Sequence, residues 1–273
     1  MRQLYLINER KEKFSFDLQS RVLISGLDGL GFDKKITYVA FDSMHKKINE
    51  TTAVSNISLS LVFLDGYEGY KKFLNYVESS SNFYLFYKSV DTKYILCEIE
   101  SLSKTELKSN ALMSKCTIKK LSQWFKDVSK EINVSFSDIG KKYPYTYPFT
   151  YSDSNEGKIN ITNNGYYKAP LKIIINGKFE NPEIFVRSNN KIIQRAKIYY
   201  KSENGRLEID AFPTDQKITI IENEETINAY EFQDFTADNF IFLDRGTFEI
   251  QFKPGAGCAP KCMITMAEGY LGN

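Results

Sequence analysis

Residues 247–253 read Thr-Phe-Glu-Ile-Gln-Phe-Lys, with Phe248, Ile250 and Phe252 alternating strictly with Thr247, Glu249, Gln251 and Lys253. A period of two puts every apolar side chain on one face of an extended chain, the pattern of a half-buried strand. Upstream, Leu207, Ile209 and Ala211 alternate with Glu208, Asp210 and Phe212, and Ile218 and Ile220 begin another strand. Turn signals punctuate this half: Asn164-Gly165, Asn176-Gly177, Asn181-Pro182 and Asn204-Gly205. Short strands at such spacing predict an antiparallel sandwich or barrel.

The first half is also strand-rich, with one interruption. Leu4–Ile7, Phe14–Leu18, Val22–Ser25, Ile36–Phe41 and Ile57–Leu64 read as strands, as do Phe83–Tyr87, Tyr94–Glu100 and Ala111–Trp124. From Asp65 to Ser79 the period changes: Tyr67, Tyr70, Phe73, Leu74 and Val77 fall at helical spacing, with Lys71, Lys72, Asn75 and Glu78 opposite. Asp65 followed by Glu68 predicts an N-cap that satisfies the first free amides. One helix near 66–78 is therefore expected in a mainly β chain. Residues 141–151, KKYPYTYPFTY, break all periodicity, because Pro144 and Pro148 hold the chain extended. This places a domain boundary there, giving domains 1–148 and 149–273. An extended tyrosine strip could stack on sugars or bases; the simpler expectation is that it packs into a seam between domains or subunits.

The composition narrows the function. Lys and Arg number 36 against 34 Asp and Glu, which argues against a polyanion as the main partner, so no nucleic-acid specificity is expected. No apolar run approaches the ~18–20 residues of a membrane-spanning helix, so no membrane partner is expected either. The first residues lack the apolar core of a secretory signal, so synthesis and folding in a cytoplasm are expected. Asn49, Asn56, Asn133 and Asn160 fit the N-x-Ser/Thr pattern and read as chance in that setting. Aromatic residues make up 14%, with 18 Tyr, 20 Phe and one Trp, a composition that suits sheets and large interfaces.

Five features invite a chemical reading. GLDGLG at 26–31 has the wrong spacing for a phosphate loop, and a strand, KKITYVAFD, follows it rather than a helix; a flexible turn between strands is expected. Cys258 and Cys262 could ligate zinc or pair, yet Cys97 and Cys116 sit in strands of the other domain and read as small buried hydrophobes. His45, the one histidine, lies beside Asp42 and Ser43, too close in sequence for a catalytic triad, and reads as a solvent-exposed loop residue. No two carboxylates are marked as a glycosidase pair. Glu222–Glu225 reads as a polar turn and lacks the spacing of a calcium loop. The chain is thus expected to be no enzyme, with no catalytic or metal-ligating residues and no cofactor.

The run NITNNGYYKAPLKIIINGKFENPEIFV, followed by GRLEIDAF and DNFIFLDRGTFEIQF, resembles the C-terminal domain of the distal tail proteins of siphophages infecting Gram-positive bacteria. In that family a Leu-x-x-Gly turn leads into the last strand, matched here by Leu243, Asp244, Arg245 and Gly246. The opening LYLINERKEKFSFD, the phrase LISGLDGLGF, a helix after a long strand and a strand ending near Trp124 are similar to its N-terminal domain. The resemblance implies an N-terminal ring-forming β domain and a C-terminal galectin-like antiparallel β-sandwich. It further implies a hexameric ring at the virion tail tip, linking the tail tube to the baseplate. The implied partners are further copies of the chain, the major tail tube protein, a tail-associated lysin or tail-spike protein, and receptor-binding or baseplate proteins. The turns between strands over 159–253 look too short for the long extension by which some members grip receptor-binding proteins. The alternative reading is a carbohydrate-binding module adhering to host cell-wall polysaccharide.

Overall fold

The computed structural model describes residues 3–134 and 155–272. The chain is mainly β with one helix, in several antiparallel sheets, and it forms two compact units: Met1–Lys126 with Gly269–Asn273, and Asp127–Glu268. The boundary expected within 141–151 lies outside the described residues. The units divide earlier, at 126/127, and residues 269–273, expected in the second domain, belong to the first unit. Among the described residues no helix is long and apolar enough to cross a membrane.

Unit one is built on strands β1 (Gln3–Asn8), β2 (Lys13–Ser15), β3 (Val22–Asp28), β4 (Lys34–Phe41), β5 (Met44–Thr52), β6 (Asn56–Phe63), β7 (Phe83–Lys88), β8 (Thr92–Leu102) and β9 (Leu112–Lys120). Seven of them form one antiparallel path, β3-β6-β9-β8-β7-β1-β2. The long β8 pairs with β7 over its first half and with β9 over its second, with a register shift between Ile99 and Ser101. Strands β4 and β5 stand apart as a two-stranded sheet. The run expected as one strand over 111–124 is broken: β9 ends at Lys120, and β10 (Trp124–Ile132) starts at Trp124 rather than ending there.

Helix α1 (Gly66–Glu78) covers the sheet and buries Phe73 completely against Phe14, Phe16 and Phe63. Two expectations for it fail. Tyr67 lies outside the packed face, where its hydroxyl donates to Glu106 at 2.8 Å. Asp65 holds the N-cap position without a side-chain cap, because its carboxylate pairs with Arg21 and Gly66 enters the helix with φ +57°.

Unit two contains β11 (Gly157–Asn163), β12 (Ala169–Glu180), β13 (Glu183–Ser188), β14 (Lys191–Lys197), β15 (Lys201–Asp210), β16 (Lys217–Glu222), β17 (Glu225–Asn228), β18 (Phe242–Leu243), β19 (Gly246–Lys253) and all but the last two residues of β20 (Lys261–Tyr270). One sheet runs β17-β16-β15-β12-β20 and the other β11-β19-β13-β14. Their apolar faces meet in a single core: Ile173, Leu207, Ile218 and Ile264 from the first, Ile161, Val186, Phe248 and Ile250 from the second. Strand 247–253 is as its alternation requires, with Phe248, Ile250 and Phe252 buried. The Leu243–Gly246 turn leads into β19, which is followed by β20, so it does not introduce the last strand.

Two expected turns are mid-strand. Asn176-Gly177 and Asn204-Gly205 face each other across β12 and β15, where Gly177 has φ +111° and the register shifts before Phe179. Glycine here makes a bulge rather than a reversal. The reversals use other residues with both central φ angles positive, Asn189-Asn190 and Asn223-Glu224.

Candidate interaction surface

The β4–β5 hairpin, here called the arm, is the most unusual feature of unit one. A strand alternates its side chains between two faces, so an ordinary sheet strand hides one set. Every residue of β4 is exposed, as is every residue of β5 except the half-buried Glu50. The register pairs Ile36 with Glu50 and Tyr38 with Lys47 on one face, and Val39 with Lys46 and Phe41 with Met44 on the other. Both faces therefore carry apolar side chains in solvent: Tyr38 is 55% exposed, Phe41 57% and Met44 73%. Ile48 bulges at the register shift opposite Thr37 and Tyr38 and is also exposed.

The arm is held internally by charge. Glu50 pairs with both Lys34 and Lys47, and the hydrogen bonds from these lysines hold its carboxyl down at about 2. The same bond raises Lys47 above its ordinary value. Lys34, Lys35, Lys46 and Lys47 outweigh Asp42 and Glu50, so the arm is basic as well as apolar. A lone two-stranded hairpin is marginally stable in water. Such an arm is suited to burial against an apolar surface with acidic neighbours.

The 26–31 segment forms the root of the arm and is pinned. The Lys120 ammonium donates to the Gly29 carbonyl at 2.9 Å and the Gly31 carbonyl at 2.8 Å, and the Trp124 indole N–H donates to the Leu30 carbonyl at 3.1 Å. These are acceptors engaged by a lysine, the reverse of the amide cradle that a phosphate needs. The expected flexible turn is thus a clamped one, and β3 continues through Gly26 with a register shift between Ile24 and Gly26.

The remaining candidates carry no assembled chemistry. His45 lies on β5 opposite Ala40, exposed but in a strand rather than a loop, and Asp42 and Ser43 form the adjoining turn. All four cysteines are free and buried; burial pushes Cys97, Cys116 and Cys262 up to about 12 and Cys258 up as well. Glu222 accepts hydrogen bonds from Tyr200 and Ser202, and Asn223 and Glu224 make the β16–β17 turn. Among the described residues no three His, Cys, Asp or Glu side chains are grouped to hold a metal. The buried Glu208 and Asp210 both pair with Lys172. Burial alone would push Glu208 up, but the hydrogen bond and charge of Lys172 outweigh it and the carboxyl titrates below its ordinary value. A general acid needs the opposite shift. The tyrosine-rich 141–151 segment lies outside the described residues.

Sequence reasoning missed the arm because Ile36–Phe41 reads as a strand like its neighbours and His45 as a loop residue, with no strand expected over 44–52. The available signal was apolar character at adjacent positions, Tyr38-Val39 and Ala40-Phe41, with a two-residue Asp-Ser reversal following.

Residues 3–121 match the family model described as the distal tail protein, N-terminal domain. No curated protein sequence matches. A chain of the phage P2 baseplate in its activated conformation with calcium is similar, with TM-score 0.68, 14% identity and 98% of each chain covered. Its counterpart in the strontium form matches with TM-score 0.68, 15% identity and 98% of each chain covered. The Dit protein of phage SPP1, described as a paradigm of the hub adsorption apparatus in phages infecting Gram-positive bacteria, matches with TM-score 0.61 and 7% identity over 97% of this chain and 98% of its own. By sequence over residues 3–121, and by fold over nearly the whole chain, the protein is similar to distal tail proteins.

Proposed function

We propose that the protein is a distal tail protein, a hub at the tip of a phage tail that joins the tail tube to the baseplate. It closes into a ring, six copies in number, through unit one. The observation that carries this reading is the arm, a hairpin with apolar side chains bare on both faces and no other strand paired to it among the described residues. A closed ring hides the same surface on every subunit, which is how a symmetric assembly removes such a liability. The work is association without turnover. Unit two, read as the galectin-like sandwich, is where baseplate or receptor-binding proteins dock; no long extension interrupts its strands over 155–272, so docking uses the sandwich surface itself. The test is the mass in solution by light scattering. A species near six times 31.5 kDa, ring-shaped in negative stain, supports the reading. A ring that survives Phe41→Glu combined with Met44→Glu removes the arm from it.

A second reading, adhesion to cell-wall polysaccharide, is favoured by one feature of unit two. Phe235 is 79% exposed within a polar cluster where Arg195 and Thr236 bond to Asp234. An aromatic face beside polar groups is suited to a sugar ring. Saturable binding of the full chain to purified cell walls, lost in Phe235→Ala, is the measurement that separates it from the first.

A further inference from the structure

We propose that Lys120 sets the direction of the arm by clamping the segment from which β4 springs. It acts as a positioning residue for the ring contact, so the inference rests on the ring reading above. Three consecutive carbonyls, those of Gly29, Leu30 and Gly31, are each held by a side-chain donor, and the two donor residues, Lys120 and Trp124, sit at the end of β9 and the start of β10. Lys120 is 7% exposed and Trp124 1%, so both donors are anchored in the body of unit one.

Buried ammonium groups are costly unless hydrogen-bonded, and Lys120 spends two of its three donors on the root. Its burial lowers its pKa, and the nearby Asp33 carboxylate opposes this. Only Phe32 and Asp33 separate the clamped carbonyls from β4, and the Ala53 amide donates to the Asp33 carbonyl at 2.8 Å, closing the base of the hairpin. Gly29 lets the chain pass: its φ is +86°, and a side-chain carbon there would overlap the Asn56 carbonyl oxygen.

The geometry makes the root decisive. A strand of eight residues reaches about 27 Å at ~3.4 Å per residue, so an angular error of about 10° displaces the tip by ~5 Å, roughly one strand spacing. An arm misaimed by that much meets its neighbour one strand out of place.

The test compares Lys120→Met, Lys120→Arg and the charged-tip double variant Phe41→Glu, Met44→Glu, reading hydrogen exchange over residues 29–52 and ring formation by light scattering. Lys120→Met is expected to keep the wild-type circular dichroism. Its amides at 29–33 should exchange about tenfold faster, and the concentration for half-assembly should rise about tenfold. Lys120→Arg, which restores the donors, should recover most of both. Should Lys120→Met fail to fold, Lys120→Gln is read in the same way. Unchanged exchange, or faster exchange with unchanged assembly, overturns the proposal. If the wild type forms no ring, or the charged-tip variant assembles normally, the ring reading fails by itself, and the exchange data still decide whether Lys120 orders the root.

Discussion

The Phe14 ring lies 4.9 Å from that of Phe73 and 5.2 Å from that of Tyr76, so the short strand β2 and the helix α1 are joined through aromatic contacts of one ring. Phe73 also meets Phe16 and Phe63, each at 5.9 Å, and is fully buried. Phe73→Ala is therefore expected to destabilise the protein by about 3–5 kcal/mol, the usual cost of emptying such a site. The midpoint of urea unfolding checks this.

The helix start gives a second expectation. Asp65 bonds to Arg21 at a half-exposed site and caps nothing, so Asp65→Ala should cost no more than about 1 kcal/mol. Gly66→Ala should cost more than Asp65→Ala, because φ is +57° and the added carbon would sit 2.8 Å from a Leu107 methyl. The ranking of the two in thermal unfolding is the readout.

Acid should reach the arm late. The Glu50 carboxyl is depressed from 4.5 to about 2, so its pairing with Lys34 and Lys47 is fully present above pH ~4.5 and is lost as pH falls through about 2. Side-chain carboxyl resonances followed by NMR should show Glu50 titrating below the other exposed glutamates. Both lysine pairs are solvent-exposed, so added salt should weaken them.

Within unit two, Lys172 pairs with two buried carboxylates at once, and Arg206 also pairs with one of them, Glu208. Lys172→Met leaves Glu208 and Asp210 side by side, and with the partial exposure of Lys172 discounted, about 1–2 kcal/mol should be lost at neutral pH. Glu208 is depressed in the folded state, so the wild-type advantage should shrink as pH falls below the ordinary carboxylate range. Chemical denaturation of both proteins at pH 7 and pH 4 measures it.

The thiols should be silent. All four are buried and shifted upward, so the native protein should react negligibly with Ellman's reagent at pH 8 and show four thiols in guanidinium.

Strands with one buried face were legible from their residues, as at Phe248–Phe252 and Ile57–Phe63, because burial imposes a period of two. The helix was legible through Tyr70, Phe73, Leu74 and Val77 for the same reason at a different period. Where no face is buried, no period exists, and β5 with its sequence MHKKINETT gave no strand signal. Asn-Gly pairs misled at 176 and 204, since a bulge and a turn require the same backbone freedom. The arm itself was only half visible: a strand was expected at Ile36–Phe41, but its isolation depends on which strands do not pair with it, a property of topology rather than of local sequence.

The return of residues 269–273 to unit one has a consequence for synthesis. Lys93 donates to the Gly272 carbonyl at 3.0 Å and lies over the Tyr270 ring, 4.6 Å from its centre, so these residues belong to the packing of the first unit. They leave the ribosome after all of unit two. Folding in the order of translation therefore cannot finish the first unit before the second has emerged, and the arm is displayed from a completed body only once residues 269–272 have been made.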